Sequence, residues 1–161
     1  MARVLIVGCG CRGRALAARL RETGHAVRGT TRDPARADAI EATGVEAAVA
    51  DPDRLATLVP QLAGVSVICW LLGTASDGPD LHGARLQTLM ERLVDTPVRG
   101  LAYEAAGSVD GDVLTRGTEI VRRASAVWHI PVEVVEEDPD AHQVWLAAMT
   151  GAVARLLERA Q

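Results

Sequence analysis

The chain is predicted to fold in the α/β class, as a three-layer, doubly wound domain. Its six-stranded parallel sheet is expected in the order 3-2-1-4-5-6. Three observations predict this. Short β-branched runs alternate with segments of helical periodicity from end to end. The apolar content is 48%, with no Phe and a single Tyr, so Ala, Val and Leu must fill the core. Small aliphatic side chains suit helices packed closely on a parallel sheet. Finally, a cluster of glycines from Gly8 to Gly13 stands between the first strand-like run and the first helical one. At 161 residues a single domain over 1–161 is expected.

The elements follow in order. Arg3 to Val7 is the first strand. Arg12 to Thr23 reads as a helix, with Leu16 and Leu20 on one face and Gly24 as its stop. His25 to Thr30 is the second strand. Asp33-Pro34 opens a helix that ends at Gly44, since Asp caps and Pro is tolerated in the first turn. Val45 to Ala50 is the third strand, and Asp51-Pro52 opens the next helix through Leu62. Val65 to Leu72 is nearly all apolar, the pattern of a strand covered on both faces. A polar loop, Gly73 to Pro79, leads to a helix over Asp80 to Asp95. Val98 to Tyr103 is the fifth strand, Val113 to His129 a helix and Pro131 to Val135 the sixth strand. A second Asp-Pro pair, Asp138-Pro139, opens the last helix. Its stripe of Ala141, Val144, Trp145, Ala148, Met149, Ala152, Val153, Leu156 and Leu157 either covers the sheet or meets a second subunit in a homodimer.

Composition narrows the function. A formal net charge of −4 lacks the basic footprint of a nucleic-acid binder. No apolar run approaches the ~20 residues that span a bilayer, so no membrane role is expected. The N-terminal run from Met1-Ala2-Arg3 is too short for a signal-peptide core. Three cysteines without a disulfide framework fit a reducing cytoplasm. Cys9 and Cys11 have no second pair at ligand spacing, so no metal site is expected. They read as small loop residues, and Cys69 as a buried strand residue.

Gly8-Cys9-Gly10-Cys11-Arg12-Gly13 follows the pattern GxGxxG. It comes directly after a strand and opens a helix, which is the context that gives the pattern meaning. Gly8 permits a tight turn, Gly10 lets a diphosphate approach the backbone, and Gly13 lets the helix pack on the strand. The helix start then offers N–H groups and a positive dipole to phosphates. The plain alternative is a tight strand-to-helix turn.

The tip of the second strand selects the cofactor. A carboxylate there bonds the ribose 2′-OH of NAD. This strand ends Gly29-Thr30-Thr31-Arg32, and Asp33 is accounted for as a helix cap. Thr30, Thr31 and Arg32, with Arg12 as a second positive charge, suit the 2′-phosphate of NADP, although NAD remains possible. Asp51 either accepts from the adenine amino group or caps the helix at Pro52. Leu72 and Gly73 should border the cofactor at the topological switch point.

The glycine loop, the Gly-Thr-Thr-Arg tip and Asp51 together resemble the NADP-binding half of the extended and atypical short-chain dehydrogenase/reductases, including the epimerase/dehydratase-like proteins. The likeness covers residues 1 to about 75. It implies a Rossmann fold, NAD(P) binding and hydride transfer. The chain departs from that family in three ways. The family's glycine spacing is more often GxxGxxG. Its catalytic Tyr-x-x-x-Lys is missing, because Tyr103 is followed by Glu104-Ala105-Ala106-Gly107 and the chain has no Lys. The family's C-terminal substrate region has no counterpart here.

Tyr103 and Glu104 end the fifth strand, on the rim where an active site would lie, so an acid and a base are conceivable there. Alternatively Tyr103 is a core residue with its hydroxyl at the rim and Glu104 is solvated. Glu136-Glu137-Asp138 would attract a cationic substrate or complement the start of the last helix. His25, His82, His129 and His142 carry no evident task. The expectation is an NADP(H)-binding oxidoreductase acting on a small molecule. The alternative is a non-catalytic NADP(H) sensor or regulatory module. A methyltransferase using S-adenosylmethionine shares the Val-Gly-Cys-Gly opening, but normally carries an acid where Thr30, Thr31 and Arg32 stand.

Overall fold

Successive side chains of a strand point to opposite faces, so a strand that is apolar throughout needs a layer on each side. The computed structural model, which describes residues 2–75 and 78–159, meets that need. Met1 and two residues of the expected polar loop, Ser76 and Asp77, lie outside the described residues, as do Ala160 and Gln161. In β1 (Arg3–Val7), Val4 and Ile6 enter one core while Leu5 and Val7 enter the other. In β4 (Val67–Trp70), Val67 and Cys69 separate from Ile68 and Trp70 in the same way. Helices α1 (Cys11–Glu22), α2 (Ala37–Glu41) and α6 (His142–Arg159) cover the first face through Leu16, Ile40 and Met149. Helices α3 (Leu55–Leu58), α4 (Ala84–Leu93) and α5 (Gly111–Trp128) cover the second through Leu58, Leu89 and Val121.

The remaining strands are β2 (Ala26–Thr31), β3 (Glu46–Val49), β5 (Gly100–Glu104) and β6 (Val132–Val135). All six pair in parallel in the order β3-β2-β1-β4-β5-β6, as the alternation of strands and helices predicts. Val7 stands opposite Trp70, and Trp70 opposite Tyr103, so the carboxyl ends of the central strands are level. The order reverses between β1 and β4, and a crevice for ligands opens at such a reversal.

The helices after β2 and β3 are shorter than expected. A 3-10 turn, Pro34–Arg36, precedes α2. After β3 the helix covers only Leu55–Leu58 before a 3-10 turn, Val59–Leu62. Pro60 is the physical reason, since it lacks the N–H that an α-helix would use at that position. The last helix begins at His142 rather than Pro139, because the Asp138 carboxylate accepts from the Asp140 N–H and closes a turn first. The fourth helix likewise begins at Ala84, after a 3-10 turn over Pro79–His82.

Most of the expected stripe of α6 lies against the sheet, with Trp145, Met149, Ala152 and Leu156 fully buried, but Val144 faces outward and is exposed, because it sits one residue off the face that Trp145 turns to the sheet. Among the described residues, no helix is long and apolar enough to cross a membrane. Leu16 is completely buried where α1 meets β1. Leu16→Ala is expected to lower stability by about 2–5 kcal/mol in urea unfolding.

Candidate cofactor cleft

A cleft of about 440 Å³ opens at the carboxyl ends of β1 to β4. Its floor is the glycine loop. Gly8 has φ +83°, and a Cβ there would stand 2.6 Å from the Leu71 carbonyl oxygen. Only glycine fits that turn. Gly13 is packed: a Cβ would lie 3.2 Å from Ile6 and 3.3 Å from the Cys9 sulfur. Gly10 differs from both. Its backbone is extended, with φ −85° and ψ −151°, and a Cβ there would meet no atom within 4 Å. The space over Gly10 is open cleft.

Gly10 is also the N-cap of α1, and it makes no side-chain capping bond. The first-turn N–H groups of a helix have no acceptor within the helix. No acidic residue stands in that turn to compete for them. Gly10 and Cys11 line the cleft, so the helix start presents donors and a positive dipole to it. These residues fit a diphosphate.

The end of β2 holds the loop in place. The buried Thr30 accepts the Gly8 N–H through its hydroxyl, at 3.4 Å, and the Cys9 N–H through its carbonyl, at 2.9 Å. Thr31 lines the cleft, but its hydroxyl serves a local turn, accepting the Asp33 N–H at 3.1 Å. Asp33 caps as expected: its Oδ1 accepts the Ala35 N–H at 3.0 Å, and Arg36 stands 3.9 Å from its other oxygen. Arg14, Arg32 and Arg36 line the cleft. Arg32 and Arg36 also border an adjoining hollow of about 390 Å³, with Thr31 and Asp33. Sequence reading missed Arg14 and Arg36. For Arg14 the signal was helical spacing, one turn beyond Gly10, whereas Arg36 reaches the cleft from the 3-10 turn after β2, which no spacing marks.

Several expected residues do something else. Arg12 was expected to add charge beside the phosphates. Its guanidinium is instead engaged with Glu104, through Nε at 3.2 Å and Nη2 at 2.8 Å. Asp51 closes a turn by accepting the Asp53 N–H at 2.9 Å, and its neighbours Ala50 and Pro52 line the cleft. Leu72 lines the cleft as expected, while Gly73 turns its N–H toward Glu104 at 2.9 Å. The buried Cys9 side chain packs against Gly29, and burial pushes its thiol up to about 12. Cys11 is exposed at the first position of α1.

Tyr103 and Glu104 do not share a face of the sheet. Neighbours on one strand face opposite sides, and both side chains are fully buried, with neither in the cleft lining. Glu104 lies on the α1 and α6 side, where the guanidinium carbon of Arg12 also sits 5.7 Å from the Trp145 ring centre. Tyr103 lies on the α4 and α5 side, with its hydroxyl 2.6 Å from His82 Nδ1. His82 Nε2 is 2.8 Å from the Leu72 carbonyl oxygen. A carbonyl only accepts, so Nε2 carries the proton and Nδ1 accepts from the Tyr103 hydroxyl. Burial lowers the pKa of His82. Burial, and next the Glu104 charge, raise that of Tyr103. No motif assigns His82 a partner; the fold makes it the support of the Leu72 carbonyl at the cleft wall.

Comparison with known proteins adds three findings. A family model described as NAD(P)H-binding matches residues 8–113. No curated protein matches the sequence. Solved structures with the same fold include a short-chain dehydrogenase/reductase superfamily protein from Agrobacterium tumefaciens with bound NAD (21% identity, TM-score 0.65, 82% of this chain and 48% of that one). Triphenylmethane reductase from Citrobacter sp., complexed with NADP(H), shares 20% identity at TM-score 0.65, over 84% of this chain and 49% of that one. A short-chain dehydrogenase from Sphingobium yanoikuyae in complex with NADPH shares 21% at TM-score 0.64, over 83% and 70%. The chain spans about half the length of the first two.

Two outcomes follow from this geometry. Gly10→Val is expected to leave the protein folded while losing nucleotide binding, because a Cβ there enters open cleft and meets no protein atom within 4 Å; calorimetric titration beside a thermal melt checks both. The second concerns pH. Burial holds His82 below its ordinary 6.5, so as pH falls under that value the unfolded chain takes up a proton that the folded chain refuses. Stability is then lost on acidification. His25 is shifted the same way, so the comparison is with His82→Asn, whose urea midpoint should fall less steeply between about pH 7 and about pH 5.

Proposed function

The chain belongs to the NAD(P)H-binding family, and from that premise we propose that it binds NADP(H) and acts as an oxidoreductase on a small molecule. One observation carries the cofactor choice. The hollow at the end of β2 brings Arg32 and Arg36 beside Thr31, Arg14 lines the adjoining cleft, and among the described residues the one carboxylate lining that hollow, Asp33, accepts the Ala35 N–H and stands 3.9 Å from Arg36. Guanidinium groups hold a phosphate by charge-assisted, bidentate bonds. A ribose 2′-OH would find no free acid there, which favours NADP over NAD and also speaks against S-adenosylmethionine.

The diphosphate would rest on the first turn of α1 above Gly10, and the adenosine between Thr31 and Pro52. When bound, NADPH supplies a hydride. The chain's own residues orient the ligand through the loop that Thr30 holds. The reductase and dehydrogenase activities named for the solved relatives support the oxidoreductase reading. A second reading, an NADP(H)-responsive module without turnover, is favoured by the complete burial of Tyr103 and Glu104. A cytoplasmic setting suits both, since the exposed Cys11 thiol opens the phosphate site.

Arg32→Ala is expected to weaken NADP binding roughly tenfold or more, as the loss of a charged hydrogen-bond partner does, and to leave NAD binding nearly unchanged. Equal losses for the two would remove 2′-phosphate recognition from the reading. Steady NADPH oxidation with a member of a carbonyl panel supports turnover; binding without oxidation across the panel supports the responsive module.

A further inference from the structure

The second half of the sheet's rim carries a hollow of its own. About 490 Å³ opens beside the ends of β5 and β6, where Ala105 follows the one strand and Glu136 the other. Helix α5 forms the facing wall. Thr115, Glu119 and Arg122 stand at positions i, i+4 and i+7, so they share one stripe of that helix, and all three line the hollow. The buried Leu114 adds an apolar contact from the same helix. The charges here are unspent. Among the described residues, no hydrogen bond or ion pair engages the side chains of Glu119, Arg122 or Glu136. Elsewhere the chain does pair such neighbours: Arg19 with Glu22, and Arg36 with Asp33, come to 3.9 Å at a spacing of three residues. Glu119 and Arg122 have that spacing, with the acid first, the order that favours pairing on a helix, and they stay apart. The acidic run after β6 divides in the same way. Asp138 closes the turn before α6 by accepting the Asp140 N–H, whereas Glu136 lines the hollow. Glu119, Arg122 and Glu136 are exposed, so a ligand reaches them from solvent.

We propose that this hollow binds a small aliphatic α-amino acid as its zwitterion. The choice of ligand follows from the signs of the charges. Two carboxylates oppose a simple anion, and the guanidinium opposes a simple cation. A neutral ligand would leave all three charges unused. A molecule with both an ammonium and a carboxylate meets each of them: Glu119 and Glu136 accept from the ammonium, and Arg122 donates to the carboxylate. Arginine suits that role because its planar fork matches a carboxylate. Three residues of α-helix rise about 4.5 Å, so the two charges of the ligand must lie close together, as they do across an α-carbon. The Thr115 hydroxyl adds a donor and acceptor to the same wall. Leu114 and Ala105 offer the aliphatic side chain its apolar contact. This hollow and the cofactor cleft share no lining residue among those described, so amino-acid binding here does not rest on the NADP(H) reading.

The test is a ligand-observed NMR titration with three probes of one carbon skeleton: L-leucine, isopentylamine and 4-methylpentanoate. The wild type should bind leucine roughly tenfold more tightly than either probe with a single charge. Arg122→Gln should bring leucine down to the level of isopentylamine. The double variant Glu119→Gln/Glu136→Gln should bring it down to the level of 4-methylpentanoate. All three positions are exposed, so the variants are expected to fold, and a thermal melt checks that they do. Leucine that fails to bind the wild type, or binds it no more tightly than one of the single-charge probes, overturns the site whatever the variants do. Folded variants that hold leucine as tightly as the wild type overturn it as well, because the amino acid would then sit elsewhere. No nucleotide enters these measurements, so a failure here leaves the NADP(H) reading as it stands.

Discussion

The site depends on one close approach of backbone to backbone. Gly8 leaves β1 in a left-handed conformation, against the carbonyl of Leu71 at the end of β4. Any Cβ there would force β1 and β4 apart at the point where the strand order reverses. With that contact in place, α1 starts directly over the crevice and Gly13 settles on Ile6. The donors of the first helical turn therefore face solvent space at the switch point rather than protein. Gly8 and Gly13 leave out side chains that the protein itself has no room for, and Gly10 leaves the cleft above it open.

Two buried polar networks complete the rim, one on each face of the sheet. Both obey the same rule: a polar group taken out of water must find partners inside the protein. Glu104 finds Arg12 and Gly73, which ties α1 to the loop after β4. Tyr103 finds His82, which in turn holds the Leu72 carbonyl. Each network fixes the loop after β4 from a different side. The two adjacent residues Tyr103 and Glu104 thus each take part in one of these buried networks. They reach this outcome because adjacent residues on a strand cannot share a face.

Charge at the end of β2 follows a different logic. Asp33 would repel a phosphate if it were free, yet its carboxylate serves the turn that starts the next segment. The cost of an acid beside an anion site is reduced by giving that acid a backbone donor and an arginine neighbour. Arginine is suited to such a site because its planar fork stays charged and matches phosphate geometry. The chain has no Lys, so its permanently charged basic side chains are all arginines and carry this geometry throughout.

Local rules were enough for much of the protein. Alternation of strands and helices determined the fold class, the strand order and the two-sided core. The glycine spacing determined the cofactor loop, and the missing acid after Thr31 determined the character of the β2 end. These features depend on residues near one another in the chain, where steric and capping rules act directly. Only the tertiary structure decided the fate of Arg12, Glu104, Tyr103 and His82. Arg12 and Glu104 meet across 92 positions, and His82 meets Tyr103 across 21. Pairings of that kind arise when strand register and helix docking bring distant segments together. Periodicity and motif carry no record of them, because the partners are chosen by burial, which belongs to the assembled sheet and not to any one stretch of chain.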